Sequence, residues 1–216
     1  MSHELKTPLQ SIMGSAELLE NGLVKPEDQP RFLNRIHQEA DRLVALINDI
    51  LRLSQLDEGG ALPHEQVSVL ELAQEAARSL TEQAAAQSVS VSVTGTAGTV
   101  FGVRRLLYEI ARNLCENAVK YNVPGGSVTV EVAETDRDVT LLVRDTGIGI
   151  PEGDQSRVFE RFYRVDKSHS RAIGGTGLGL SIVKHAVAYH HGTLRLESQP
   201  GKGTVITVTL PKEPTE

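Results

Sequence analysis

Apolar residues along this chain fall into two regimes. Over residues 1–57 they recur at helical spacing: Leu5, Leu9, Ile12, Ala16, Leu19 and Leu23 alternate steps of four and three, a heptad-like stripe on one helix face. Asn21-Gly22 and Lys25-Pro26-Glu27-Asp28 break this helix and open another. In the second helix Phe32, Ile36, Ala40, Leu43, Ile47 and Ile50 repeat the stepping, and a further row (Leu33, Leu46, Leu51, Leu53) widens the apolar face. A hairpin of two such helices cannot cover that much apolar surface by itself. Pairing two copies into a four-helix bundle would cover it; packing the hairpin on the rest of the chain is the alternative.

A glycine–proline joint, Glu58-Gly59-Gly60-Ala61-Leu62-Pro63, separates the hairpin from the second regime. Beyond it the pattern predicts a helix over 69–87, an alternating strand over 88–94 and a long helix over 104–121. Strands follow over 127–133 and 139–145, then a glycine-initiated helix over 176–190 and a closing hairpin of strands over 193–198 and 204–210. Strands joined by short turns imply an antiparallel or mixed sheet with helices on one face. The expected organisation is a helical hairpin over 1–57, a linker over 58–66 and an α/β domain over 67–212.

Composition narrows the classes. A formal net charge of -6 argues against a nucleic-acid binder, which carries a basic face. One cysteine, Cys115, excludes an intramolecular disulfide and fits a reducing cytoplasm. No apolar run approaches the ~20 residues of a membrane span.

Three segments carry candidate chemistry. In Gly174-Gly175-Thr176-Gly177-Leu178-Gly179-Leu180-Ser181, glycines precede a helix, so backbone N–H groups can converge on an anion. Leu180 stands where a P-loop needs lysine, and the glycine spacing is not that of the dinucleotide fingerprint; a packing turn is the other reading. In Asp145-Thr146-Gly147-Ile148-Gly149-Ile150, an aspartate at a strand end can accept from an exocyclic amine, which adenine has and guanine lacks at that position. Asp145 capping a tight turn is the plainer alternative. In Asn113-Leu114-Cys115-Glu116-Asn117-Ala118-Val119-Lys120-Tyr121, the asparagines are four apart and share a helix face. Their amide oxygens suit a Mg²⁺ that already carries phosphate oxygens. Lys120 can reach a phosphate and Tyr121 offers a ring beside a base. Mere exposed polarity is the alternative for the asparagines, but their apolar neighbours Leu114, Ala118 and Val119 argue against it.

These three segments in this order, with Phe159-Glu160-Arg161-Phe162-Tyr163-Arg164, resemble the asparagine, glycine and phenylalanine boxes of the Bergerat-type ATPases. That superfamily includes sensor histidine kinases, Hsp90-type chaperones, type II topoisomerases and mismatch-repair ATPases. The resemblance covers roughly 67–212. It implies an α/β two-layer sandwich binding ATP under a lid over 165–174, with Gly175, Thr176, Gly177, Leu178 and Gly179 at the phosphates. Gly147 and Gly149 would lie beside the purine, Arg164 near the γ-phosphate, and Phe159 and Phe162 at the lid base. At the front of the chain, Ser2-His3-Glu4-Leu5-Lys6-Thr7-Pro8-Leu9 resembles the H box of sensor histidine kinases, followed by their dimerisation hairpin. A neutral imidazole is a nucleophile and an adjacent carboxylate can take its ring proton, which suits His3 and Glu4. Thr7 shares the helix face with His3 and is placed to position a water for the reverse, dephosphorylating reaction. A chaperone-type clamp has no use for such a box. A zinc-protease reading of His-Glu fails because Thr7 occupies the second ligand position.

The resemblance thus implies a homodimeric kinase using ATP and Mg²⁺, with a response-regulator receiver domain as partner and no nucleic acid. The chain departs from the pattern in two places. Val103 stands where relatives carry a helix-capping aspartate, and only Met1 and Ser2 precede His3. The second departure gives the expectation of a truncated N-terminus, with membrane attachment of an inner-membrane parent lying upstream and a cytoplasmic core. The remaining histidines, His190 among them, read as surface or turn residues, and Cys115 as a buried small hydrophobe.

Overall fold

The computed structural model describes residues 2–57, 62–165 and 175–213, with side chains left out at 2–4 and 52–57. The lid expected over 165–174 therefore falls, past Val165, outside the described residues, as does most of the glycine–proline joint.

Two helices form the N-terminal hairpin, α1 (Ser2–Glu20) and α2 (Gln29–Asp57). Helix α1 runs on through Pro8, which is buried. The Arg35 Nε donates to Ser11 Oγ at 3.2 Å and ties the two helices together. The hairpin divides its apolar residues. Leu46 is buried in a cluster with Leu178 and Ile182, which Leu5, Ile50 and Phe162 flank. Leu9, Met13, Leu23, Leu33, Val44, Ile47 and Leu51 stay exposed, Leu23 by 71% and Met13 by 62%. One face of the hairpin therefore docks on the α/β domain, as the second sequence-derived option has it, while another apolar face stays exposed.

The α/β domain is a two-layer sandwich. Strands β2 (Ser90–Gly95), β4 (Ser127–Glu134), β5 (Asp138–Asp145), β7 (Gly203–Pro211) and β6 (Thr193–Gln199) form one sheet in that order. Only the β2–β4 pair is parallel. Period-two patterning decides its faces. Val128, Val130, Val132, Val139, Leu141, Val143, Ile206, Val208 and Leu210 are buried, whereas Thr129, Glu131, Thr140, Arg144, Thr207 and Thr209 alternate with them. The buried face meets α3 (Val69–Ser79), α5 (Arg104–Lys120) and α7 (Gly179–Tyr189), with α5 central and buried along Leu106, Leu107, Ile110, Ala111, Leu114, Cys115, Ala118 and Val119.

Three differences from the sequence reading have local causes. The helix expected over 69–87 breaks at Leu80 into α3 and α4 (Thr81–Ala86). There the Ser79 hydroxyl donates to Ala76 O at 2.7 Å and the Thr81 hydroxyl to Arg78 O at 2.8 Å, competing with the helix ladder. Helix α7 begins at Gly179 rather than 176, because Gly175 (φ +114°) and Gly177 (φ +74°) lie in the left-handed region. A two-stranded antiparallel sheet of β1 (Glu65–Ser68) and β3 (Thr99–Gly102) was too short to read from its pattern, and β1 starts inside the expected linker.

Candidate functional site

A cavity of about 210 Å³ opens between α5, the ends of β5 and β7, and the turn before α7. Its walls are mainly apolar: Leu114, Ala118, Val143, Ile148, Ile150, Val158, Leu180 and Ile206. Polar groups enter from four separate stretches of sequence. Asn117 and Tyr121 come from α5 and its C-cap, Asp145 and Gly149 from the end of β5 and the following loop, Tyr163 and Arg164 from the phenylalanine-box segment, and Gly177 and Gly179 from the glycine-rich turn. An apolar slot with a few convergent polar groups suits a flat heterocycle with a charged tail.

Asp145 is held by its surroundings. Its Oδ1 accepts the N–H of Gly147 at 2.8 Å and of Thr204 at 3.2 Å, which leaves Oδ2 for a ligand. Burial raises its carboxyl above the usual range, against the lowering effect of those two amides. The glycines beside it are sterically required. A Cβ on Gly147 would lie 2.3 Å from Tyr121 O, and one on Gly149 (φ +69°) 2.0 Å from Gln199 O.

On α5, Asn113 donates through Nδ2 to Glu109 O at 2.8 Å and to Glu109 Oε2 at 3.3 Å. Its Oδ1 therefore faces the glycine turn, 2.8 Å from where a Gly179 Cβ would sit, with Asn117 Nδ2 3.8 Å from the same point. Among the described residues no three His, Cys, Asp or Glu side chains converge to hold a metal. Two neutral amides fit a Mg²⁺ that brings phosphate oxygens and water as its remaining ligands, and do not fit a metal held by protein alone. Lys120 Nζ stands beside Gly175, 2.2 Å from a Cβ built there, and 5.3 Å from the centre of the Tyr121 ring. Burial, and secondarily the charges of Arg164 and Arg42, outweigh Glu116 and bring its ammonium down to about 8. Burial likewise pushes Tyr121 up.

The glycine-rich turn is two-sided. Gly177 and Gly179 line the cavity, whereas Leu178 is fully buried against the hairpin and the Thr176 hydroxyl donates to Asp49 Oδ2 on α2 at 2.6 Å while accepting Leu178 N–H at 3.2 Å. Thr176 and Leu178 can thus offer a phosphate only their backbone. Phe162 sits at φ +68° and donates its N–H to Gly177 O at 2.9 Å, clamping the phenylalanine-box segment to this turn. The Tyr163 hydroxyl donates to Asp154 Oδ1 of the short helix α6 (Glu152–Gln155), and Arg157 stacks 4.2 Å over its ring.

At the hairpin, His3 and Glu4 belong to α1, and their side chains lie outside the described residues. Thr7 is exposed on α1, one turn further on. Sequence patterning did not single out Thr204, Asp49 or the wall residues Val143, Val158 and Ile206. Thr204 reads as any β-branched strand residue, and Asp49 as a polar helix position.

One expectation is half corrected. His190 lies in the turn after α7 but is not a surface residue: it is 6% exposed, with Nδ1 on Ala186 O at 2.7 Å and Nε2 accepting Val103 N–H at 3.0 Å. Burial, with His64 and His191 nearby, lowers its pKa, opposed by the Ala186 bond. The Val103 side chain makes no capping hydrogen bond to α5, and its amide donates to His190, just past the end of α7. Cys115 is wholly buried, as expected, and burial pushes its thiol up to about 12.

Comparison with known proteins places these features in context. Residues 102–214 match the family model described as histidine kinase-, DNA gyrase B- and HSP90-like ATPase, and residues 1–59 match the His Kinase A (phospho-acceptor) domain. The chain is 40% identical over 218 residues to the sensor-like histidine kinase SenX3 of Mycolicibacterium smegmatis, covering 99% of this chain and 56% of that protein. It spans about half the length of the SenX3 proteins that it matches. The mycobacterial sensor histidine kinase MprB superposes with a TM-score of 0.61 at 33% identity, over 71% of this chain and 100% of that one. Histidine kinase ThkA, in a complex with response regulator protein TrrA, shares the fold with a TM-score of 0.73 at 21% identity, over 99% of this chain and 60% of that one.

Proposed function

Because this chain belongs to the sensor histidine kinases, a family of ATP-dependent protein-histidine kinases, we propose that it moves the γ-phosphoryl group of ATP onto His3 and from there onto an aspartate of a response-regulator receiver domain. The observation that carries this reading is the cavity that gathers Asn117, Asp145, Arg164 and Gly177 from four distant stretches beside a phosphoacceptor-type hairpin. The response regulator named with ThkA supports the same class of partner here.

In this reading Asp145 Oδ2 accepts from the adenine amine, and the apolar walls and Tyr121 hold the ring. The amides of 175–179 meet the phosphates, with Lys120 and Arg164 adding positive charge. Asn113 and Asn117 would hold Mg²⁺, which would neutralise phosphate charge. A neutral His3 nitrogen attacks the γ-phosphorus, the bond to the bridging oxygen breaks, and ADP leaves. Glu4 takes the proton from the other ring nitrogen, so the phosphorylated imidazole stays neutral at the ring. Thr7 holds the water that later hydrolyses the regulator's phosphoaspartate. The exposed leucines of α1 and α2 pair two copies into a four-helix bundle. No described helix is long and apolar enough to cross a membrane.

Incubation with γ-labelled ATP tests the reading. The expected product is acid-labile, alkali-stable label on the protein, lost in His3→Gln with ATP affinity intact. Asn117→Asp should abolish Mg²⁺-ATP binding by adding a carboxylate beside the phosphates. Equal loss of ATP affinity in both variants by calorimetry, or label that survives acid, would refute the assignment.

A further inference from the structure

At the end of β6 the Ser198 hydroxyl meets three groups at once. It accepts Ile150 N–H at 2.8 Å, donates to Gly203 O at 3.0 Å and lies 2.9 Å from the Thr204 hydroxyl. A serine hydroxyl has one proton and two acceptor lone pairs. The Gly203 carbonyl has no proton to give, so it takes that of Ser198. The two lone pairs must then accept, one from Ile150 and the other from Thr204. Only this arrangement makes all three contacts hydrogen bonds.

The Thr204 proton is therefore spent on Ser198. Thr204 lines the cavity beside Asp145 and is 9% exposed. With its proton turned away, its hydroxyl offers the cavity only lone pairs. Asp145, whose Oδ1 is occupied by the Gly147 and Thr204 amides, also offers an acceptor. Gln155 braces the arrangement, its Nε2 donating to Ile150 O at 3.0 Å and to Ser198 O at 2.8 Å. Gly201 N–H donates to Ile148 O at 2.8 Å and fastens the loop after β5 to the β6–β7 turn.

We propose that Ser198 is a positioning residue that sets base specificity: by taking the Thr204 proton, it keeps this end of the site a pair of acceptors. Such a pair matches the exocyclic amine of adenine and opposes the carbonyl that guanine carries in its place. Ser198 does not line the cavity; it acts through Thr204 and through the loop amide of Ile150. The proposal rests on the cavity being the nucleotide site.

The test is calorimetric binding of the non-hydrolysable imido analogues of ATP and GTP to the full chain. In Ser198→Ala the Thr204 hydroxyl is free to turn its proton into the cavity. The adenine analogue should bind several-fold more weakly and the guanine analogue more tightly, lowering the preference by roughly tenfold, the scale of one hydrogen bond. Ser198→Thr keeps the hydroxyl and should restore the preference. In a Thr204→Val background, Ser198→Ala should leave the preference unchanged. A purely structural role would instead lower the melting temperature and weaken both analogues in proportion, and that result overturns the proposal. A parent chain that binds neither analogue overturns the nucleotide reading itself, a distinct outcome. If Ser198→Ala does not fold, Ser198→Cys, which preserves volume and weakens the accepting atom, supplies the same comparison.

Discussion

ATP affinity should be lost across a mildly alkaline window, and Lys120 is the reason. Its ammonium stands beside Gly175, in the turn proposed to meet the phosphates, and burial chiefly brings it down from 10.5 to about 8. The free site is then about nine-tenths charged at pH 7 and about one-tenth charged at pH 9. A bound triphosphate favours the ammonium and lifts its pKa, so binding takes up a proton once the free amine has lost it. The sign follows: affinity is full below about 8 and falls as pH rises through it. If the bound ammonium regains its ordinary value, the dissociation constant weakens about tenfold between pH 7 and pH 9, or about 1.4 kcal/mol. Neighbouring groups are silent in that window. Burial holds Tyr121 above its usual value and Cys115 near 12. Calorimetry of the imido ATP analogue across the window measures the slope. Lys120→Arg keeps its charge throughout and should give a flat profile. Parallel profiles for the two proteins would refute the placement of Lys120 at the phosphates.

Two more outcomes follow from the described contacts. Leu46→Ala, at a site 4% exposed against Leu178 and Ile182, should cost about 2–5 kcal/mol of hairpin docking, seen as faster hydrogen exchange at 178–182 with the α/β domain's own unfolding transition unmoved. His190 is held below 6.5 in the fold, so the unfolded chain binds its proton first: urea midpoints should fall as pH drops below 6.5, and His190→Gln should flatten that dependence.

The hairpin and the sheet were legible because their signals are local and repetitive. A stripe from Leu5 to Leu23 and alternation from Val128 to Val132 need no distant partner to be recognised. What escaped depends on contacts between remote segments. The short pairing of β1 with β3 has four residues a side, and no periodicity can establish itself over that length. The break at Leu80 rests on two hydroxyls choosing carbonyls instead of water. His190 is the turn residue the sequence suggested, but its burial escaped because it comes from Val103, 87 positions away, and from the aromatic neighbours His64 and Tyr189.

The glycine-rich turn shows where the boundary of legibility runs within a single motif. Its alternation of glycine with larger residues is visible in the sequence, and the glycines at 177 and 179 do face the cavity. The intervening residues carry the other half of the design. Thr176 and Leu178 point the opposite way, into α2, where the hydroxyl of the first meets Asp49 across a separation of 127 residues and the second fills the space between Leu46 and Ile182. A spacing of two therefore serves two surfaces at once: backbone toward the cavity, side chains toward the hairpin. Nothing in the local pattern distinguishes this from a turn whose side chains face solvent. The distinction comes only from the position of Asp49, three residues after Leu46 and hence on the same face of its helix.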